Sequence, residues 1–545
     1  MSADDRSAQD LSSGDAPTGP ARAGRPGDPV PRLRRRQISG RLTAAGAELF
    51  PQPEKVPLGW RRVTLAAAAV AVGTAISLGR TTGTGPFQSI WEEDARDLLT
   101  DALIAPGAFN LVKPFVGYFQ LLPRLMGEVA AFVPISWAAA ALSVQAAVVS
   151  ALLALCVYVA SGAHLRHPLP RLLVSAPLLF SPTAENFLSE IYNRPVCLQF
   201  FLVYAAFWLL LWVPARRSGR WVLAVTVGVT AVSTFLVVVL IPLALLRLYA
   251  RRDRWSLALA VFLVSGAAIQ VMGLYLGLTN RAFVEPRYEP LWALRAYALW
   301  AVPQSMLGWR FTGLSVGDTV TGASILPQVV SYLVIAAVVV VAIRLVRRPR
   351  WPLAVVAAAH SIAFCCMTIM SNGGITQRYL LPTEMFLFTA LVAVLTPGPR
   401  RAAASIEQAV PVPAGESSGQ PAGTGAAVAA RRRRLVAMAP LAAFAAFVLV
   451  ISAFSYRWDN TFRHRSPNWG VQVDRAAQVC KQAGVREVVI RSGPEPYYSL
   501  VFVPCHLFSK SNWCQEPHCR LVGAQPTATD PVRRETYGPG GGVTG

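Results

Sequence analysis

Five stretches of this chain, 63–78, 138–160, 256–278, 323–343 and 435–454, are nearly free of charge. Each approaches or exceeds the roughly 20 residues that a helix needs to cross hydrocarbon. In that medium every backbone N–H and C=O must find a partner inside the protein, so such segments read as bundled transmembrane helices. With 53 % hydrophobic residues, 15 % charged residues and a mean hydropathy of +0.42, a string of soluble domains is excluded.

The net charge of +22 raises the question of nucleic acid, and the placement of the charges answers it. Between the apolar runs, the stretches 166–171, 216–220, 247–254, 344–350 and 400–434 hold nineteen basic residues against three acids. That is the bias of cytoplasmic loops, not of a nucleic-acid groove. Residues 1–62 are rich in Pro, Gly, Ser and Arg, which predicts a disordered basic cytoplasmic tail with no cleavable signal peptide.

Alternation from that end predicts a transmembrane domain over 63–455, with outside loops at 80–125 and 279–322 and a cytoplasmic linker at 397–434. Spans three and four form a hairpin near 172–187 and 195–213. The 26 residues between Arg220 and Arg247 are too few for two full spans, and two short helices broken near Ser233 and Thr234 reconcile that length with two cytoplasmic ends. The loop at 279–322 carries Arg281, Arg287, Arg295 and Arg310, against the positive-inside tendency. The expectation is an all-α polytopic membrane protein of about eleven transmembrane helices in the plasma membrane. Its amino terminus is cytoplasmic and its carboxy terminus extracytoplasmic.

The region 456–545 changes character. A helix is expected over 471–480 and strands at 487–490 and 501–503, which together make a small extracytoplasmic α/β appendage. It holds Cys480, Cys505, Cys514 and Cys519, an even number on the proposed oxidising side, so disulfides are expected. Cys514 and Cys519 with His506 and His518 leave zinc as the alternative, though the spacing matches no familiar tetrahedral site.

Trp91-Glu92-Glu93-Asp94 sets three carboxylates in a row shortly after the first span. Such carboxylates can perturb one another's pKa, act as a general base or hold a divalent cation. The plainer reading is an acidic helix start in a solvated loop. The stretch 110–124 follows, aromatic and apolar, with Lys113 and Arg124 suited to a lipid phosphate and Tyr118 to headgroup level; an ordinary interfacial helix would look the same. Arg378, with Tyr379 beside it at the start of a span, is either a phosphate partner or a positive anchor at a helix end.

Several of these features together resemble polytopic actinobacterial glycosyltransferases of the GT-C type. The resemblance rests on Glu93-Asp94-Ala95 after span one, then Gly117-Tyr118 and Leu122-Pro123-Arg124. It continues through the turn from Ser181 to Asn186 with Asn193, Gln377-Arg378-Tyr379, and Trp469, Cys480 and Cys505 in the tail. The chain departs from the pattern at Arg194-Pro195, where a more neutral polar segment is expected.

The resemblance implies transfer of a hexosyl or pentosyl group from a polyprenyl-phosphate donor to a glycan, lipid or protein acceptor outside the cell. Glu93 is then the expected base and Asp94 its alternative. Arg378 and Tyr379 are expected at the donor phosphate, with Lys113 and Arg124 as weaker candidates, while Glu92, Tyr118, Glu185 and Asn193 are further site candidates. Beyond membrane lipids and these substrates no partner is implied, and no cofactor beyond a divalent cation. The competing reading is a transporter or lipid-linked-sugar flippase, which internal repeats and mid-span charges would favour.

The topology is testable in a cysteine-free background. A cysteine placed at Ser417 is expected to react with a membrane-impermeant thiol reagent only after the membrane is opened; labelling from intact cells would reverse the orientation.

Overall fold

The computed structural model describes residues 45–51, 59–183, 191–276, 288–313, 322–372, 377–398, 424–457, 462–493 and 499–508. All that follows concerns the compact unit Gly46–Gly545. The basic tail up to residue 44, Glu185, Glu190, Arg281, Arg287, the linker residues 399–423, and Cys514, His518 and Cys519 lie outside the described residues.

The fold is mostly helical. The helices used below are α1 Trp60–Arg80, α2 Leu121–Ala131, α3 Ala138–Ser161, α4 Leu198–Leu211, α5 Arg217–Ser233, α6 Ile241–Arg251 and α7 Arg254–Tyr275. They continue with α8 Gly322–Leu345, α9 Trp351–Asn372, α10 Gln377–Leu395, α11 Thr424–Phe454 and α12 Trp469–Val479. Among the described residues six are long and apolar enough to cross a membrane, namely α1, α3, α7, α8, α9 and α10, and the protein is a membrane protein on that ground. Two shorter apolar helices, Leu198–Leu211 and Met438–Phe454, accompany them.

Apart from Gln199 the helix α4 is almost wholly apolar, and every one of its residues is buried, as expected of a helix at the centre of a bundle. Its Tyr204 and Phe207 pack edge-on against Phe386 of α10 at centroid distances of 5.4 and 5.0 Å. At 14 residues α4 is short, and its last carbonyls would lie unpaired inside the protein. Arg247 of α6, 2 % exposed, supplies the partners by donating to the carbonyls of Leu209 (3.4 Å), Leu210 and Trp212 (2.7 Å). A buried cation at the negative end of a helix also suits the helix dipole.

Two sequence expectations meet different outcomes in this part of the chain. The helix expected to break near Ser233 and Thr234 does so: α5 ends at Ser233, Thr234 is extended, and a 3-10 run Phe235–Leu240 leads into α6. The freed polar groups find partners, with Thr234 Oγ1 donating to Gln199 Oε1 at 3.0 Å and Ser233 Oγ accepting from Leu122 N–H at 3.1 Å. The continuous span expected over 172–187 does not form. A helix Pro168–Ser175 tightens to a 3-10 turn Ala176–Leu178 around Pro177, and the chain has left helical structure by Pro182.

The expected loop at 80–125 is folded, and it shares a core with the tail. Ile90, Ala95 and Leu99 pack with Leu142 of α3 and with Trp469, Val473, Ile490 and Val501. In the tail, β1 Glu487–Ser492 pairs antiparallel with β2 Ser499–Pro504, Val488 opposite Val503 and Ile490 opposite Val501. Alternate residues of both strands turn inward onto α12 and the loop, the period of 2 that a half-buried hairpin requires. A disulfide joins Cys480, just after α12, to Cys505, just after β2. Within 110–124, where an interfacial helix was one reading, the chain instead makes a tight turn at Phe115–Tyr118 and then enters α2.

The cap on α4 has a measurable consequence. Arg247→Met is expected to leave the buried Leu210 carbonyl and the part-buried Trp212 carbonyl without this donor and to lower stability by about 1–3 kcal/mol. Arg247→Lys should restore part of it. An unchanged unfolding midpoint in detergent for Arg247→Met would mean that water or lipid headgroups already satisfy this helix end.

Candidate active site

The segment that carries the three carboxylates is shaped before their side chains matter. Trp91 forms an isolated parallel bridge with Gly493, and the N–H of Glu92 donates to the carbonyl of Gly493 at 2.9 Å. Glu92 has φ +30°, an uncommon backbone state for a residue with a side chain. From this kink Asp94–Leu99 runs as a π-helix, a rare wide turn frequently found at functional sites. The kink and wide turn direct Glu93 and Asp94 inward, where they are 9 % and 2 % exposed.

Two buried carboxylates side by side repel each other and have lost their water, so they need a cation. Arg194, itself 1 % exposed, provides it: Nη2 donates to Glu93 Oε2, and Nε donates to Asp94 Oδ2 at 3.0 Å. The planar fork of a guanidinium suits two acceptors on one side. Asp94 Oδ1 also accepts from the Val196 N–H at 3.1 Å. A second cation, Arg378 in the first turn of α10, has Nη1 3.6 Å from Glu93 Oε1, and its side chain keeps 26 % of its exposure. Trp91 lies beneath this charge cluster, with the Arg194 guanidinium 5.9 Å and that of Arg463 4.9 Å from its ring centre.

The neighbouring residue fixes where Arg194 stands. Asn193, 5 % exposed and at φ +59°, donates from Nδ2 to the carbonyl of Ser77 and to Thr81 Oγ1, both at 2.7 Å, and accepts from Ser77 Oγ at 2.8 Å. Asparagine tolerates the left-handed backbone better than most residues. A site candidate in the sequence, Asn193 thus ties the Arg194 segment to the end of α1.

The two carboxyl groups are driven apart. Burial works to raise the Glu93 carboxyl, but the charge of Arg194, then that of Arg378, more than reverses it and holds it at about 2. For Asp94 burial dominates, opposed in part by Arg194, and pushes its carboxyl up from its ordinary value. Glu93 is the more acidic member of the pair and turns one oxygen toward a partly exposed cation.

Other sequence candidates lie elsewhere. Arg124 was expected to face a lipid phosphate, but it is 1 % exposed and spends its donors on Asp101 Oδ2 (2.9 Å), Asn110 Oδ1 (2.7 Å) and the Lys113 carbonyl (2.8 Å). Lys113 is half exposed and pairs with the other oxygen of Asp101 at 2.6 Å. Tyr118, expected at headgroup level, is 6 % exposed; it packs edge-on against Phe235 and accepts from Gln120 Nε2 at 2.8 Å. Its aromatic ring finds protein instead of lipid because the turn at Phe115–Tyr118 folds it inward. Glu92 is partly exposed beside the cluster, and Tyr379 follows Arg378 with its ring 5.7 Å from that guanidinium.

Two buried charged residues, one in this cluster and one on α10, were not candidates in the sequence. Arg194 was noted only as a departure from an expected pattern. Glu384, the lone carboxylate of α10, is fully buried; its Oε2 accepts from Ser181 Oγ at 2.7 Å, from the Thr183 N–H at 3.2 Å and from Thr183 Oγ1. A single acid in an otherwise apolar span was the signal available for it. Among the described residues no group of three His, Cys, Asp or Glu is placed to hold a metal ion. At the expected cation position, the guanidinium groups of Arg194 and Arg378 face the carboxylates.

These residues define a membrane protein with a buried carboxylate pair clamped by guanidinium groups. No family model matches the chain, and no curated protein is similar to it. Among solved structures it is similar to the crystal structure of ArnT from Cupriavidus metallidurans bound to undecaprenyl phosphate, at 16 % identity and a TM-score of 0.38, over 78 % of this chain and 80 % of that one.

The opposed shifts fix an order of protonation. On acidification Asp94 is expected to take up its proton at higher pH than Glu93. In infrared titration, the carboxylic-acid band missing from Asp94→Asn should therefore appear earlier than the one missing from Glu93→Gln, and the opposite order would assign the stronger hold of Arg194 to Asp94.

Proposed function

We propose that the protein is a membrane glycosyltransferase that moves a hexosyl or pentosyl group from a polyprenyl-phosphate donor to an acceptor hydroxyl at the extracytoplasmic face of the plasma membrane, in assembly of a cell-envelope glycan or glycoconjugate. The observation that carries this reading is the contact between Glu93 and Arg378: an ionised carboxylate and a partly exposed guanidinium 3.6 Å apart, in a membrane protein. The reaction needs both groups at one place. It also needs a lipid environment for the donor's chain, which the apolar helices provide.

In the reaction the acceptor oxygen bonds to the anomeric carbon while its proton passes to Glu93. The bond from that carbon to the phosphate oxygen breaks, and its electron pair leaves with the phosphate, where Arg378 stabilises the charge. The position of Arg378 supports this role. A cation in the first turn of a helix faces the positive end of the dipole, which is unfavourable unless an anion stands close by. Glu93 is one such anion and a donor phosphate is another. Arg194 would keep Asp94 in place and the Glu93 carboxylate ionised, a positioning role rather than contact with the substrate.

A transporter or flippase remains the second reading, favoured by one observation, the buried carboxylate Glu384 within a span. The readings differ in what purified protein does with a polyprenyl-phosphate sugar. A transferase consumes it and a transporter does not.

Glu93→Gln keeps the shape and the contact with Arg194 but cannot accept a proton. Turnover in a reconstituted transfer assay is expected to fall by roughly two to four orders of magnitude with little change in folding. Asp94→Asn should lose less. Normal transfer by both variants, alone and combined, would leave this site without a catalytic role.

A further inference from the structure

The two guanidinium groups on Glu93 are not equivalent. Arg194 is 1 % exposed, shares its fork between two carboxylates and lies over the Trp91 ring. It takes Glu93 Oε2. Arg378 stands instead at Oε1, at 3.6 Å, which is beyond hydrogen-bond length, and a quarter of its side chain remains exposed. Arg194 bonds both carboxylates, whereas the contact between Arg378 and Glu93 is a longer charge contact at the oxygen not taken by Arg194.

We propose that Arg378 is shared between two anions in turn: it pairs with Glu93 while the donor is absent, and it passes to the donor phosphate on binding, which releases Glu93 Oε1 to take the acceptor's proton. This rests on the glycosyl-transfer reading and names how that same site is kept inactive until its donor arrives. With both cations in place Glu93 is held at about 2, too weak a base for an alcohol near neutral pH. Transfer of one cation to the phosphate removes part of that hold and strengthens the base at the moment it is needed. Among the described residues Asp94, Asp97 and Arg96 also interact electrostatically with Glu93, and Glu92 with Arg96, and none of them needs to move. The exchange also imposes an order. Acceptor that arrives first meets a carboxylate whose second oxygen faces Arg378, so its hydroxyl is not deprotonated until the donor is bound.

A binding cycle on the full chain in detergent tests the exchange without any transfer step, with farnesyl phosphate as the probe and farnesol as the control for the apolar chain. Removing the anion that competes for Arg378 should tighten phosphate binding, so Glu93→Gln is expected to bind farnesyl phosphate about two- to fivefold more tightly than the wild type, the range for a partly exposed ion pair. In an Arg378→Met background the same Glu93→Gln change should bring no gain, because the shared cation is gone. Arg378→Gln takes its place if Arg378→Met does not keep the wild-type unfolding midpoint. An equal gain in both backgrounds is a through-space charge effect and overturns the exchange while the donor reading stands, as does the absence of a gain in the first. Farnesyl phosphate that binds no better than farnesol in the folded wild type and variants overturns the exchange and the donor reading together.

Discussion

The guanidinium of Arg194 between Glu93 and Asp94 is the interaction on which the rest of this structure depends. Three charged groups removed from water cost several kcal/mol each in hydration, and only close contact with well-oriented partners offsets it. The surroundings supply that contact from separate parts of the chain. A kinked backbone at Glu92 and a wide helical turn direct the carboxylates inward; Asn193 ties the Arg194 segment to α1; the Val196 N–H holds the far oxygen of Asp94. On the preceding stretch, Glu384 of α10 gathers Ser181 and Thr183, so the helix that carries Arg378 is also bonded to the stretch that leads toward Arg194.

One cation between two acids also divides their labour. Neighbouring carboxyl groups with the same surroundings would share protons without distinct roles. Here burial governs Asp94 and charge governs Glu93, so their pKa values move in opposite directions. Environments that drive paired acids apart are how one site comes to hold a structural carboxyl and a reactive one. The partly exposed Arg378 stands on the Glu93 side of the pair, at the oxygen that Arg194 does not take.

Features that depend on neighbouring residues were legible in the sequence. Long uncharged runs marked α1, α3, α7 and α8 because lipid tolerates little else, and the short distance between Arg220 and Arg247 forced the break at Ser233 and Thr234. The short apolar runs at 487–490 and 501–503 marked two strands, and their antiparallel pairing came with the structure. The carboxylates were conspicuous because acids directly after a span are unusual. Features that depend on distant partners were not legible. Arg194 meets Asp94 across 100 positions and Glu384 meets Thr183 across 201, and nothing local in either segment announces the pairing. The bonds from Arg124 to Asp101 and Asn110 were hidden for the same reason, because nothing in its aromatic stretch points to those partners.

The shared core of the first loop and the tail bears on how the protein is made. Ile90, Ala95 and Leu99, which flank the carboxylates, are covered by Trp469, Val473, Ile490 and Val501, and the bridge from Trp91 to Gly493 closes the contact. A ribosome that has produced the carboxylates, Arg194 and Arg378 has still not produced the residues that shield them. The nascent chain therefore carries an open, hydrated acidic loop through most of its synthesis, and only the last hundred residues convert it into a buried charge pair. A chain that stops before these residues lacks the cover that closes over Glu93 and Asp94.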